Sequence, residues 1–129
     1  MVESPQKPKI LLVEDDLFLI RAYQIKLENE GFELIIAKDA TEGMEKVRNV
    51  HPDLVLLDIM LPRGSGFEIL EVVKKDEALQ HIPVIILSNL GQQQDIDRGL
   101  TLGAVTYLIK TDVKLEDVVK TIKKYLTKV

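Results

Sequence analysis

The chain has 129 residues, 46% of them hydrophobic, and a net charge of −4, which together predict one acidic globular domain with a single core. It contains no cysteine, which excludes disulfides and thiolate zinc sites and favours a cytoplasmic location. The acidic balance argues against direct nucleic-acid binding, and no apolar run approaches the roughly 20 residues of a membrane span.

Five apolar runs of strand length follow a short polar beginning. Residues 1–8, MVESPQKP, are predicted to form a disordered tail ahead of a folded domain over residues 9–129. The runs are rich in leucine or β-branched residues and lie at 9–13, 33–37, 53–57, 83–87 and 105–109. None alternates between apolar and polar positions, and such continuous runs are typical of parallel strands covered on both faces.

Segments with the helical spacing of apolar residues separate these runs. The first ends before Gly31, and the second begins at Asp39, a good helix cap. The fourth, at 92–102, is the weakest because Gly99 interrupts its apolar pattern. The remaining helices are predicted at 66–76 and 115–126. Strand and helix thus alternate five times, which predicts a three-layer α/β sandwich built on a parallel sheet with right-handed crossovers.

Chemically active side chains follow four of the five runs, at the strand ends where open α/β sheets bind their ligands. They are Glu14 and Asp15 after the first run, Asp58 after the third, Ser88 after the fourth and Lys110 after the fifth. Each has an ordinary explanation alone, and Asp16 is foremost a helix cap. Three acids facing one lysine nevertheless predict a Mg²⁺ site, where an aspartate can accept a phosphoryl group.

The same residues stand in motifs that resemble the receiver domain of bacterial response regulators, the CheY-like family. The motifs are VEDD, LLDIMLPRGSGFEIL, VIILSN and GAVTYLIK, in this order between residues 13 and 110. The resemblance covers residues 9–125 and implies a flavodoxin-like (βα)5 fold with strand order 2-1-3-4-5. It also implies a phospho-accepting switch of a two-component or phosphorelay system, which is a signalling domain and not a turnover enzyme.

The resemblance assigns a role to each site residue. Asp58 matches the phosphoacceptor, and the donor is a histidine kinase or a histidine phosphotransfer protein. The implied ligands of Mg²⁺, or of Mn²⁺ in its place, are Asp58, Asp15, Glu14 through water, and the backbone carbonyl of Met60. The implied phosphate-binding and switch residues are Lys110, Ser88 and Tyr107. Phosphorylation is expected to change the face of helix 4, strand 5 and helix 5, where an output protein of unknown identity binds.

Two positions depart from the family pattern. The family lysine normally precedes a cis-proline, but Thr111 follows Lys110 here. We expect a cis bond even so, despite its penalty of about 3–4 kcal/mol, because the lysine must reach the site. Asn89 stands where the family usually has a very small residue, so we expect an altered lifetime of the phosphoryl group, in a direction that the sequence does not give.

Three other functions compete with this interpretation. A pseudo-receiver, an interaction module that is not phosphorylated, commonly lacks one of the site residues, and all are present here. A phosphatase of the haloacid-dehalogenase type needs a second aspartate two residues after the nucleophile, where this chain has Met60. A flavodoxin needs a phosphate-binding loop rich in serine, threonine and glycine after the first strand, which the sequence lacks.

Overall fold

The computed structural model describes residues 7–126, in which five strands of one sheet alternate with five helices. The strands β1–β5 are Lys9–Val13, Glu33–Ala37, Leu54–Leu57, Val84–Ser88 and Thr106–Ile109. The helices α1–α5 are Leu17–Asn29, Ala40–Val50, Gly66–Lys75, Gln93–Thr101 and Leu115–Leu126. Most of the predicted tail, residues 1–6, and the last three residues of the predicted domain lie outside the described residues.

The five strands form one parallel sheet in the order β2-β1-β3-β4-β5, which confirms the predicted fold and strand order. Helices α1 and α5 cover one face and α2, α3 and α4 the other, so each strand contributes to two apolar layers. Ile10 and Leu12 point into one layer, and Leu11 and Val13 point into the other. Burial on both faces explains why the strand sequences are apolar without alternation.

Short polar side chains fix where the helices next to the strand ends begin. Asp16 accepts hydrogen bonds from the N–H groups of Phe18 (2.9 Å) and Leu19 (3.2 Å), which agrees with its interpretation as a helix cap. Ser65 and Glu68 form a reciprocal capping box at the start of α3. The sequence did not predict this capping box. It also did not predict the short antiparallel hairpin before it, whose two strands are Met60–Leu61 and Gly64–Ser65.

Helix α4 runs through Gly99, so this glycine does not break the helix. A Cβ atom at Gly99 would lie 2.5 Å from Ile86 Cδ1 and 3.0 Å from Tyr107 Cδ2, which shows that the helix backbone rests directly on the sheet there. The helix is weakly held elsewhere, because its first turn has no side-chain cap and Gly99 is its only buried residue. Among the helices of residues 7–126, none is long and apolar enough to cross a membrane.

Candidate functional site

Three carboxylates meet at the carboxyl ends of β1 and β3. One oxygen atom each of Glu14, Asp15 and Asp58 lies within 4.8 Å of the others. Strand pairing sets this arrangement, since Val13 pairs with Leu57 and the next residue of each strand is an acid. Glu14 is 1% exposed and Asp58 6%, whereas Asp15 is exposed to solvent. Two buried acids of the same charge need a compensating cation nearby.

Lys110 supplies a positive charge from the end of β5. Its Nζ atom lies 2.6 Å from Glu14 Oε1 and 2.8 Å from Asp58 Oδ2, and its side chain is 13% exposed. Burial alone would lower the pKa of Lys110, but the hydrogen bonds to Asp58 and Glu14 outweigh it and raise the pKa. Burial raises the pKa of Glu14, and the Asp58 carboxylate acts in the same direction against the hydrogen bond from Lys110.

The peptide bond between Lys110 and Thr111 is trans, as is every bond between the described residues, so the expected cis bond is wrong. Lys110 instead opens a short 3-10 turn, Lys110–Asp112, directly after β5. From this trans backbone its side chain reaches both buried carboxylates. The expectation failed because it made the position of the ammonium depend on the peptide bond, although a lysine side chain has four rotatable bonds of its own.

Both oxygens of Asp58 are engaged. Oδ2 accepts from Lys110, and Oδ1 accepts from the backbone N–H groups of Ile59 (2.7 Å) and Met60 (3.3 Å). Gly66 lies against the backbone behind this carboxylate, where an added Cβ atom would be 2.1 Å from the carbonyl oxygen of Asp58. The sequence predicted no structural role for Gly66 beyond its position in a motif. A close approach between residues eight apart in the chain leaves no pattern in the sequence.

Ser88 and Tyr107 meet at the backbone of Leu90. The Ser88 hydroxyl is buried and accepts from the N–H of Leu90 at 3.2 Å, while the Tyr107 hydroxyl donates to the carbonyl of Leu90. Burial raises the pKa of Tyr107 and the charge of Asp95 adds to this, whereas a hydrogen bond with Ser88 acts in the opposite direction. The structure thus joins the two predicted switch residues, and it places the side chain of Asn89 in solvent.

A cleft of about 630 Å³ opens beside the acids. Asp15 and the exposed Met60 stand on one side, and Leu90 and Arg98 stand on the other. Arg98 reaches across from α4, with its guanidinium carbon 4.2 Å from the centre of the Phe67 ring on α3. Of the three acids, the exposed Asp15 lines this cleft.

Comparison with known proteins identifies the family. The family profile described as the response regulator receiver domain matches residues 10–123. The chain belongs to the response regulator receiver family. The receiver domain is 34% identical over 117 residues to the polar-differentiation response regulator DivK of Brucella ovis, covering 91% of this chain and 94% of DivK. It is therefore a phospho-accepting signalling domain, as the site residues and the sequence motifs predicted.

Two further relatives differ in how much of their own length this chain covers. The receiver domain is 38% identical over 103 residues to the DNA-binding dual master transcriptional regulator RpaA of a Synechocystis strain, and the match covers 80% of this chain but only 43% of RpaA. It is 30% identical to the solved Mn²⁺-bound form of the response regulator Rcp1, with a TM-score of 0.80 over 95% of this chain and 96% of that one. The chain thus spans less than half the length of RpaA but nearly all of Rcp1.

Proposed function

We propose that Asp58 accepts the phosphoryl group of a phosphohistidine, carried by a histidine kinase or a histidine phosphotransfer protein, with Mg²⁺ or Mn²⁺ as the metal. The observation that supports this most is the contact of Lys110 with the two buried carboxylates of Glu14 and Asp58, next to the exposed Asp15. Such a site has the nucleophile, the oxygen ligands and the cation that phosphoryl transfer requires.

Each side chain has a part in the transfer. An Asp58 oxygen forms the new bond to phosphorus as the bond from phosphorus to the donor imidazole breaks, and the proton that this imidazole needs comes from solvent. The ammonium of Lys110 lies beside Asp58 and pairs with the phosphoryl oxygens, which carry the charge of the transition state. The metal would be held by Asp15, Asp58, the Met60 carbonyl and, through a water molecule, Glu14. When bound, Mg²⁺ supplies further positive charge to the same oxygens.

The switch and its partners belong to the same proposal. The added phosphoryl charge draws the Ser88 hydroxyl toward Asp58, which shifts the Leu90 backbone that Ser88 and Tyr107 now share. The face of α4, β5 and α5 then changes its affinity for an output protein. We propose that this acidic domain does not bind nucleic acid directly. We also propose a cytoplasmic location, with which the lack of cysteine agrees.

Incubation with acetyl phosphate and Mg²⁺, followed by measurement of the intact mass, tests the proposal. We expect one phosphoryl group per chain. Hydroxylamine should remove it, because hydroxylamine attacks acyl phosphates. The group should be absent when EDTA replaces the metal. If no donor adds mass, including phosphoramidate, the pseudo-receiver is correct. Continuous release of phosphate from many phosphoesters would instead identify a phosphatase.

Lys110→Met is expected to destabilise the metal-free protein by about 3 kcal/mol, since it leaves the buried Glu14 and Asp58 carboxylates without their cation. Mg²⁺ should then stabilise the variant more than the wild type, because the metal replaces the lost charge. Urea unfolding with EDTA and with Mg²⁺ measures both effects.

Lys38→Met is the matched control for this experiment. Lys38 follows β2 as Lys110 follows β5, but its side chain is exposed. We expect its unfolding free energy to stay within about 0.5 kcal/mol of the wild type, with the wild-type response to Mg²⁺. Equal destabilisation by the two substitutions would show that Lys110 does not compensate the acids.

A further inference from the structure

Arg98 on α4 and Phe67 on α3 contact each other across the cleft beside the acids. The guanidinium carbon of Arg98 lies 4.2 Å from the centre of the Phe67 ring, and both residues line the cleft. The Phe67 side chain is 4% exposed, whereas Arg98 is exposed, so the core fixes the ring on which the guanidinium rests. This stacking has the geometry of a cation–π interaction.

Phe67 is joined to the Asp58 loop, which is the segment of residues 58–65 between β3 and α3. The preceding residue, Gly66, donates its N–H to the carbonyl of Ile59 at 2.9 Å, and an added Cβ atom at Gly66 would lie 2.1 Å from the carbonyl oxygen of Asp58. Ile59 and Phe67 also belong to the same buried apolar cluster. Because a packed interior leaves little free space, a displacement of the Asp58 loop moves the Phe67 ring as well.

Arg98 stands at the point where α4 rests on the sheet. It precedes Gly99, where an added Cβ atom would lie 3.0 Å from Tyr107 Cδ2. Among residues 7–126 Arg98 forms no ion pair, although Asp95 lines the same cleft three residues earlier on α4. Because Gly99 is the only buried residue of this helix, the position of α4 depends on contacts such as that of Arg98.

We propose that Arg98 is a positioning residue that links the Asp58 loop to α4 through the Phe67 ring, separately from the link made by Ser88 and Tyr107. Ser88 and Tyr107 lie on β4 and β5, whereas this second link runs through α3 and α4. A displacement of the Asp58 loop on phosphorylation then reaches α4 by both links. The part of Arg98 in the switch rests on the proposed phosphorylation of Asp58, but the link itself does not.

Hydrogen exchange of the unphosphorylated protein in EDTA tests this link without any phosphoryl transfer. Arg98→Met removes the guanidinium and keeps an unbranched side chain at this position. We expect amide exchange to become about two- to fivefold faster both in α4 and in the Asp58 loop, the factor that an exposed cation–π contact corresponds to. Arg98→Lys keeps a cation and should restore part of the protection in both segments.

Arg48→Met is the matched control for this experiment. Arg48 lies in the last turn of α2 as Arg98 lies in the last turn of α4, it is also exposed, and within residues 7–126 it has neither an ion pair nor a ring contact. Both substitutions remove a favourable charge from the end of a helix. We expect Arg48→Met to leave exchange in α4 and in the Asp58 loop as in the wild type. Faster exchange in α4 alone after Arg98→Met would overturn the proposal, because Arg98 would then stabilise only its own helix.

Double-mutant cycles identify the partner of Arg98 and the independence of the link. Phe67→Leu removes the ring and keeps an apolar side chain, so adding Arg98→Met to it should change α4 exchange little further. An undiminished effect of Arg98→Met in that background would overturn the role of the ring. Tyr107→Phe removes the hydroxyl that donates to the carbonyl of Leu90. The effect of Arg98→Met on the Asp58 loop should persist in this background, and its loss would show that the link is not separate.

Acetyl phosphate and Mg²⁺ then test the part of Arg98 in the switch. Intact mass first establishes the phosphoryl group, so a missing mass gain counts against the proposed function and leaves the exchange results in EDTA unaffected. Phosphorylation should change α4 exchange less in Arg98→Met than in the wild type, because one of the two links is removed. An equal change in the two proteins would show that Arg98 has no part in the switch.

Discussion

Asp58→Asn is expected to accept no phosphoryl group from acetyl phosphate in the presence of Mg²⁺. The asparagine amide keeps the shape of the side chain, but it lacks the charged oxygen that attacks phosphorus and pairs with Lys110. The variant should still fold, because the substitution also removes one of three neighbouring negative charges. Intact mass spectrometry measures the phosphoryl group, and far-ultraviolet circular dichroism verifies the fold.

Asp16→Asn is the control for that loss. Asp16 lies two residues from Glu14 and caps α1, and asparagine caps a helix as well as aspartate does. We expect this variant to be phosphorylated like the wild type. Wild-type labelling of Asp58→Asn would mean that another residue is the phosphoacceptor, and loss of labelling in both variants would mean that any neutralised acid near the site prevents the reaction.

Gly66→Ala is expected to destabilise the protein by about 3 kcal/mol or more and to reduce phosphoryl transfer with it. The new Cβ atom would lie 2.1 Å from the carbonyl oxygen of Asp58 and 2.9 Å from Ile59 Cα, which are backbone atoms that cannot turn away. Either α3 or the loop after β3 must move, and the loop carries the phosphoacceptor. Urea unfolding gives the free energy, and the acetyl phosphate assay gives the activity.

Gly91→Ala provides the comparison. Its nearest neighbour would be Ile109 Cδ1 at 3.1 Å, the flexible end of a side chain, and Gly91 itself is exposed. We expect a change within about 0.5 kcal/mol and normal labelling. Equal stability of the two alanine variants would show that α3 shifts freely against the Asp58 loop.

The sequence was sufficient for the fold because its signals are local and repeated. Each strand is a continuous apolar run, and a parallel sheet is the arrangement that buries such runs on both faces. Parallel strands end at the same edge of a sheet. The sequence therefore predicts that Glu14 and Asp58, which follow β1 and β3, lie close together. The strand limits agree with those predicted at six of the ten ends and differ by one residue at the other four.

Features set by distant contacts could not be obtained in this way. The strand ends placed Lys110 opposite the acids, but they did not give its direct contacts with both Glu14 and Asp58 from a trans backbone. The close approach of Gly66 to Asp58 likewise depends on how the helices and strands pack together. The same holds for the hydrogen bonds that Lys74 donates to two backbone carbonyls. The short hairpin before α3 was missed because each of its strands has two residues, fewer than any pattern needs.

Helix α4 is built to open easily. It has nine residues, no side chain caps its first turn, and Gly99 in its last turn adds no buried side chain. A glycine in a helix lowers its stability by about 1 kcal/mol relative to alanine. The free energy of local opening should therefore be lower here than in α3, which has a capping box and five buried residues. The helix that packs against Tyr107 is thus held less firmly than α3, so a change at Tyr107 has less packing to overcome there.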